Sequence, residues 1–256
     1  MIKKKLLIFL WLGACCLAQA KTQVVSLVAT NYAPYYFADL TNQGFVDEII
    51  SQAFALADIE SKVNYYPWKR SFELAKFGVT QGIFTISKSS EREEIFLFSE
   101  PIIDINIRLL TKKSNSALPS KYVNIDSLLP LVLANNKEYK LPESLENEKL
   151  NFISTIDDET AIRVLLSNRV DLVVIDEDVA NYLIHKHFME HKDALRFFGP
   201  PMAKIPQYLA VAKSLDNAQE IIDAFNQGLN SLKNSGTFAR IIQDNLPPTI
   251  SSIGID

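Results

Sequence analysis

The sequence predicts an α/β fold built from two successive α/β units, and three observations carry that prediction. Apolar runs at residues 24–30, 62–66 and 78–86 alternate with segments whose apolar residues fall at helical spacing. This β, α, β, α, β order is that of a parallel sheet with helical cover. A polar stretch, Thr111-Lys112-Lys113-Ser114-Asn115-Ser116, then interrupts the pattern before the alternation resumes. Composition agrees: 48% hydrophobic and 22% charged residues over 256 positions is globular, ample for one large domain or two small lobes.

The first twenty residues stand apart. Lys3, Lys4 and Lys5 precede the apolar run Leu6-Leu7-Ile8-Phe9-Leu10-Trp11-Leu12, and small residues follow to Ala18-Gln19-Ala20. The pattern is that of an export signal over residues 1–20, too short for a dependable membrane span, with cleavage expected after Ala20. Removing its lysines moves the formal charge from −4 to −7. An acidic mature chain argues against a nucleic-acid partner. Both cysteines, Cys15 and Cys16, lie in this segment, so the mature chain is expected to have no disulfide. Leu12-Gly13-Ala14-Cys15 also resembles a bacterial lipobox, which leaves two forms open: a soluble periplasmic protein, or a lipoprotein anchored at Cys15.

Along the chain, residues 24–30 read as a buried strand, ended by Pro34 amid Tyr32, Tyr35, Tyr36 and Phe37. Val46, Ile49, Ile50, Ala53, Phe54 and Ala57 share one helix face, residues 62–66 alternate as a strand, and Pro67 opens a second helix through Lys76. Residues 105–110 alternate as a strand, and Leu131-Val132-Leu133 is a short one. Ala161, Ile162, Leu165 and Leu166 form a helical stripe, and residues 170–175 form a buried strand ending at Asp176. Phe198-Gly199-Pro200-Pro201 is expected to break the pattern ahead of a strand at 207–212. Ala218, Ile221, Ile222, Phe225, Leu229 and Leu232 line a helix that Gly236 terminates, followed by a short helix at 237–244 and a loose tail from Pro247.

The chemistry concentrates in Thr85-Ile86-Ser87-Lys88-Ser89-Ser90-Glu91-Arg92. A fixed guanidinium beside several hydroxyls suits a small carboxylate, gripped by paired charge-assisted hydrogen bonds. In parallel α/β sheets, ligands bind beyond the C-terminal strand ends. Tyr32, Trp68, Thr85, Arg92 and Asp176 all follow predicted strands. Each has a plainer alternative: Arg92 as a surface arginine paired with Glu91 or Glu94, Asp176 as the cap of a helix starting at Glu177, Trp68 as core. His187 and His191 are spaced for a metal, but no further ligand supports them and that stretch reads as an exposed helix end.

In their order, several segments carry a family resemblance: Tyr32-Ala33-Pro34, Gly44-Phe45-x-Asp47, Trp68 ten residues before Gly78, and Ser89-Ser90-Glu91-Arg92. Phe98-Ser99-Glu100-Pro101, the run from Asn168 through Asp176, and Leu232-Lys233-Asn234-Ser235-Gly236-Thr237-Phe238 complete the set. Over residues 24–246 the chain resembles the bacterial extracellular solute-binding proteins of family 3, periplasmic receptors typified by polar amino acid binders. The resemblance implies a type II periplasmic binding fold, two lobes of mostly parallel sheet flanked by helices and joined by a two-strand hinge. Lobe 1 would comprise residues 21–107 and 206–256, lobe 2 residues 108–205, with crossings near 105–111 and 205–208.

It further implies that Arg92 holds a ligand α-carboxylate and Asp176 its α-ammonium, that Trp68 packs on the ligand side chain, and that Tyr32 is a second pocket aromatic. Thr85 and Ser87 are expected beside the ligand through hydroxyl or backbone. The chain departs from the family at Ala134-Asn135-Asn136-Lys137, where a small Gly-Ser-Thr type turn is usual, and Gln81 stands where an aspartate is common. Asn135 and Lys137 are therefore expected to shape specificity, Lys137 adding a cation that favours an anionic ligand. The expected function is capture of an amino acid or similar small carboxylate by a monomer, without cofactor, for delivery to the membrane subunits of an ABC importer. A sensor protein as partner is the alternative, and an enzyme of dehydratase type on the same cleft the remote one.

Overall fold

A computed structural model describes residues 23–37, 44–137, 141–250 and 252–253. The expected signal segment, with Ala20 and Cys15, lies outside the described residues. The first α/β unit follows the expected order: β1 (Gln23–Ala29), α1 (Phe45–Ala55), β2 (Ile59–Tyr65), α2 (Trp68–Lys76) and β3 (Gly82–Ile86). β2, β1 and β3 lie side by side and parallel. A one-and-a-half-turn helix α3 (Ser90–Ile95) and short strand β4 (Phe96–Phe98) then lead to β5 (Ile103–Lys112).

The second unit contains β6 (Val132–Asn136), β7 (Asn151–Thr155), α4 (Asp158–Leu166), β8 (Leu172–Asp176) and α5 (Glu177–His187). β6 pairs in parallel with both β7 and β8. The last elements are β9 (Leu195–Ala212), α6 (Ala218–Asn234), α7 (Thr237–Asn245) and β10 (Ser252–Ile253).

Two strands carry the chain between the units. β5 is antiparallel to β8 on one side and to β9 on the other, and β9 continues into antiparallel pairing with β3 and β4. The resulting strand order is β2-β1-β3-β9-β5-β8-β6-β7. The fold is thus the expected one: two mostly parallel sheets, each flanked by helices, linked by a pair of antiparallel strands. The expected lobe boundaries at 107 and 205 fall inside β5 and β9.

Two expectations are corrected. Phe198-Gly199-Pro200-Pro201 does not end a strand. β9 runs unbroken for 18 residues, and its register to β5 jumps from Leu109↔Phe198 to Ile107↔Ala203. The two prolines sit within that irregularity, where no ladder bond to β5 is asked of them. Gly199 takes φ +70, and a Cβ there would press on the Tyr122 ring. Nor are the described residues of the tail after Pro247 loose. Ile250 is buried, its N–H donates to Asn181 Oδ1 at 3.0 Å, and β10 pairs in parallel with Phe197 and Phe198 of β9.

Each sheet has a core on both faces. On the first, α1, α6 and α7 cover a cluster containing Val25, Leu27, Phe45, Phe54, Leu209 and Phe225, while Ala75 of α2 packs with Val28, Ile83 and Phe96 opposite. On the second, α4 and α5 cover Val173, Ile175 and Phe197, and Leu128, Leu145 and Leu150 cover Leu133, Leu172 and Phe198. The alternation of Ile221, Ile222, Phe225, Leu229 and Leu232 around Gly228 gives α6 a face flat enough to seat directly on α1. Gly236 ends α6 in the left-handed conformation at φ 76.

Gly228 sets that helix contact, because a Cβ on it would overlap the Ala53 carbonyl of α1. Gly228→Ala is expected to destabilise by about 1–3 kcal/mol through overpacking. Urea unfolding should show a lower midpoint with an unchanged m-value; an unchanged midpoint would mean that α6 and α1 can separate freely.

Candidate functional site

The loop after β1 folds into a compact knot of rings because its backbone closes on itself: Tyr32 N–H donates to Tyr36 O at 2.8 Å, and the Tyr35 and Tyr36 amides donate to Tyr32 O at 3.0 and 3.1 Å. Tyr32 stacks on Tyr35 with centroids 5.4 Å apart, Tyr35 meets Phe45 at 5.4 Å, and Tyr36 meets Phe84 edge-on at 5.7 Å. The Tyr36 hydroxyl bonds to Thr85, and burial raises its pKa. Thr85 occupies a left-handed conformation, φ 55, at a register shift of β3 against β9. A β-branched residue there costs on the order of 1–3 kcal/mol, a strain concentrated at the end of the strand.

Beside it stands the cation. Ser89 caps α3 by accepting the Arg92 N–H, which starts the helix at this point and turns the Arg92 side chain back towards the strand. Its Nη1 donates to Ser87 O at 2.8 Å and Ser87 Oγ at 2.9 Å. The guanidinium carbon lies 5.3 Å from the Trp68 ring centre. Nε and Nη2 have no protein partner among the described residues. Partial burial lowers the Arg92 pKa, yet it stays a fixed charge at every physiological pH. Trp68 itself, at the start of α2, is 41% exposed. Arg92, Ser87 and Trp68 therefore form one contact group, and Thr85, Tyr36 and Tyr32 a second, both following the same sheet edge.

Asp176 lies in different surroundings. It ends β8 and caps α5, its Oδ1 accepting from the Asp178 N–H at 2.8 Å and the Val179 N–H at 3.1 Å. Tyr35, from the other unit, places its hydroxyl 2.7 and 2.9 Å from the two Asp176 oxygens and 3.0 Å from Asp178 Oδ2. One hydroxyl proton is thus shared among two carboxylates. Asp176 is 1% exposed. Burial raises its pKa to about 7 against the opposing pull of the Tyr35 and backbone bonds, and burial likewise raises that of Asp178.

The expected specificity turn sits at the end of β6. Asn135 is buried, with its Nδ2 donating to Asn136 O at 3.3 Å and its own carbonyl accepting from Thr155 Oγ1 at 3.1 Å. The Lys137 side chain is exposed and its N–H donates to Thr155 O. These two residues bond within their own unit rather than to the Arg92 group.

Three polar groups escaped sequence reasoning. Arg108 on β5 is buried, with Nη1 3.2 Å from both Glu177 oxygens, Nη2 3.2 Å from Gly199 O, and its guanidinium over the Phe197 ring, so it ties the two crossing strands to the start of α5. An arginine among the apolar Ile105, Ile107, Leu109 and Leu110 was the available signal. Asp178 was a second acid next to a strand-ending aspartate. Asp47 was quoted only as part of a motif, yet it is buried facing Tyr65 with neither side chain in a well-formed hydrogen bond, and burial raises its pKa to about 7. A cavity of about 350 Å³ also touches Tyr35, lined by Phe45, Ile103, Asp178, Phe238 and Ile242; none of the expected ligand residues lines it.

Two α/β lobes joined by crossing strands, with polar and aromatic groups gathered at the strand ends, define a solute-binding fold of the type II periplasmic class. The chain belongs to the bacterial extracellular solute-binding proteins, family 3, whose family model matches residues 24–247. No functionally curated protein matches it. Among solved structures it is similar to the second substrate-binding domain of a putative amino acid ABC transporter from Streptococcus pneumoniae, at 22% identity and TM-score 0.65, covering 87% of this chain and 100% of that one. It is similar to a histidine kinase sensor domain related to periplasmic binding proteins, at 18% identity and TM-score 0.67, covering 89% and 97%. A third likeness is to an ancestral amino acid-binding protein, a precursor of cyclohexadienyl dehydratase, at 18% identity and TM-score 0.67, covering 88% and 96%.

Asp47 and Asp176, the two carboxyls raised to about 7, give a signed pH dependence. Unfolded, each loses its proton near pH 3.9; folded, each keeps it to about pH 7. Between those values the folded state binds more protons, so their contribution is fully present below about pH 4 and lost as pH rises through 7. Asp176→Asn and Asp47→Asn should each flatten the fall in Tm between about pH 5 and pH 8 relative to the parent. Circular dichroism melts giving three parallel profiles would show that neither carboxylate is protonated when buried.

Proposed function

We propose that this protein captures a small carboxylate-bearing solute, an amino acid or a similar molecule, between its two lobes and presents it to the membrane subunits of an ABC importer. One observation carries the reading: Arg92 is half-buried, fixed by Ser87 and Trp68, and keeps two guanidinium nitrogens open at a sheet edge. A planar cation pre-oriented in this way loses little entropy on forming paired bonds to a carboxylate. Thr85 and Ser87 supply polar contacts beside it, and Trp68 and Tyr32 an aromatic surface for the body of the ligand. Asn135 and Lys137 face the ligand from the other lobe once the lobes close.

Lobe closure about the β5 and β9 crossings, with the division near residues 107 and 205, turns binding into a shape change a membrane partner can read. That partner is an importer in the first reading. The likeness to a kinase sensor domain supports a signalling partner as the second. We read the protein as a binder rather than an enzyme, working in the periplasm as a monomer after loss of its export segment. Sustained turnover of a bound acid by the purified protein would reverse that reading.

Arg92→Ala should weaken carboxylate binding roughly a hundredfold or more, since each charge-assisted bond contributes about 1.5–3 kcal/mol, while leaving the circular dichroism melt unchanged. Trp68 is the one tryptophan beyond the export segment, so its fluorescence reports on the site directly. In a thermal-shift screen, an acid at 100 times its Kd for the parent should add about 2.7 kcal/mol of stability to the parent and at most about 0.4 kcal/mol to the variant. Equal affinities in parent and variant would refute the clamp.

A further inference from the structure

The two charged groups expected to grip a ligand differ in one respect: Arg92 has donors to spare, whereas Asp176 is already satisfied. Its carboxylate is 1% exposed and accepts the Tyr35 hydroxyl and two backbone N–H groups of α5. Tyr35 cannot easily leave. It is itself 1% exposed, stacked on Tyr32, tilted against Phe45, and part of the core cluster beneath α1. Its departure would also strip a donor from two carboxylates at once, since Asp178 shares the same hydroxyl. An ammonium brought into the cleft would have to displace a packed aromatic ring to reach Asp176, or lie there unpaired, and an unpaired desolvated charge is strongly unfavourable.

We propose that Tyr35 fills the ammonium position with its own hydroxyl, so that the cleft takes carboxylic acids carrying no amine on the α-carbon, held by Arg92 with an apolar body against Trp68 and Tyr32. Tyr35 is then the residue that sets ligand class, by donating from within the protein the hydrogen bond that an amino acid's ammonium would otherwise donate. The inference rests on the carboxylate site at Arg92 and narrows what that site accepts.

The experiment is isothermal titration of the mature protein with acids matched in skeleton: 3-phenylpropionate against L-phenylalanine, glutarate against L-glutamate, and 4-methylpentanoate against L-leucine. The amine-free member of at least one pair should bind, at least as tightly as its amino acid, and Asp176→Asn should change its affinity less than about threefold, because an amide at that position still accepts from the α5 N–H groups. An amino acid binding more than tenfold tighter than its amine-free counterpart overturns the inference, as does a loss confined to the amine-bearing member in Asp176→Asn. The parent comparison decides the question even if that variant fails to fold. Amino acid preference together with a large loss in Arg92→Ala would leave the carboxylate site standing while removing the role given to Tyr35. Binding that is indifferent to Arg92→Ala would remove both.

Discussion

The architecture depends on one hydrogen-bonded ladder, that of β9. This strand closes the first sheet by pairing with β3 and β4, closes the second by pairing with β5, and accepts β10 along its outer edge. Because a strand twists continuously, its two ends present their neighbours at different angles, and the irregularity at residues 199–202 adds to that twist where the chain passes from one sheet to the other. Arg108 fixes this region from the side of β5, bonding α5 and the carbonyl of Gly199 together. The lobes are therefore joined through an irregular segment braced by a buried arginine, unlike the apolar packing that holds each lobe.

At the sheet edges the same physics produces opposite outcomes for two ionisable groups. Arg92 is held in place from one side only, by a short helix cap and an aromatic face, and its remaining donors are free to act on something else. Asp176 is held from all sides, and its burial is affordable because a helix N-terminus and a phenol together replace most of its lost hydration. Arg92 thus keeps donors open, while both oxygens of Asp176 are already occupied by protein donors.

Much of the fold was legible because it rests on short-range pattern. The faces of α1 and α6, the buried run of β8 and the left-handed glycine after α6 each follow from residues within a few positions of one another. What could not be read depends on distant partners. β9 crosses a Gly-Pro-Pro segment only because β5 has a matching irregularity, and Ile250, Ser252 and Ile253 are docked only because Asn181 and β9 receive them. The site divides likewise. The Ser87 and Arg92 contact spans five residues and the motif announces it. The Tyr35 and Asp176 contact spans 141 residues, and an aspartate after a strand looks the same locally whether it caps a helix beneath an aromatic ring or waits for a ligand.

The segment after α7 has a mechanical meaning. Leu246 still packs on the core of the first lobe, Ile250 is already in the core of the second, and Ser252 and Ile253 run along β9. The chain thus passes between lobes three times, and the third passage is a short span anchored at both ends. A pair of strands alone can flex and twist about each other; a taut stay beside them takes up its slack early and converts free swinging into motion about a restricted axis. Any change in the angle between the two lobes must therefore strain or release the span from Leu246 to Ile250 as well as bend β5 and β9.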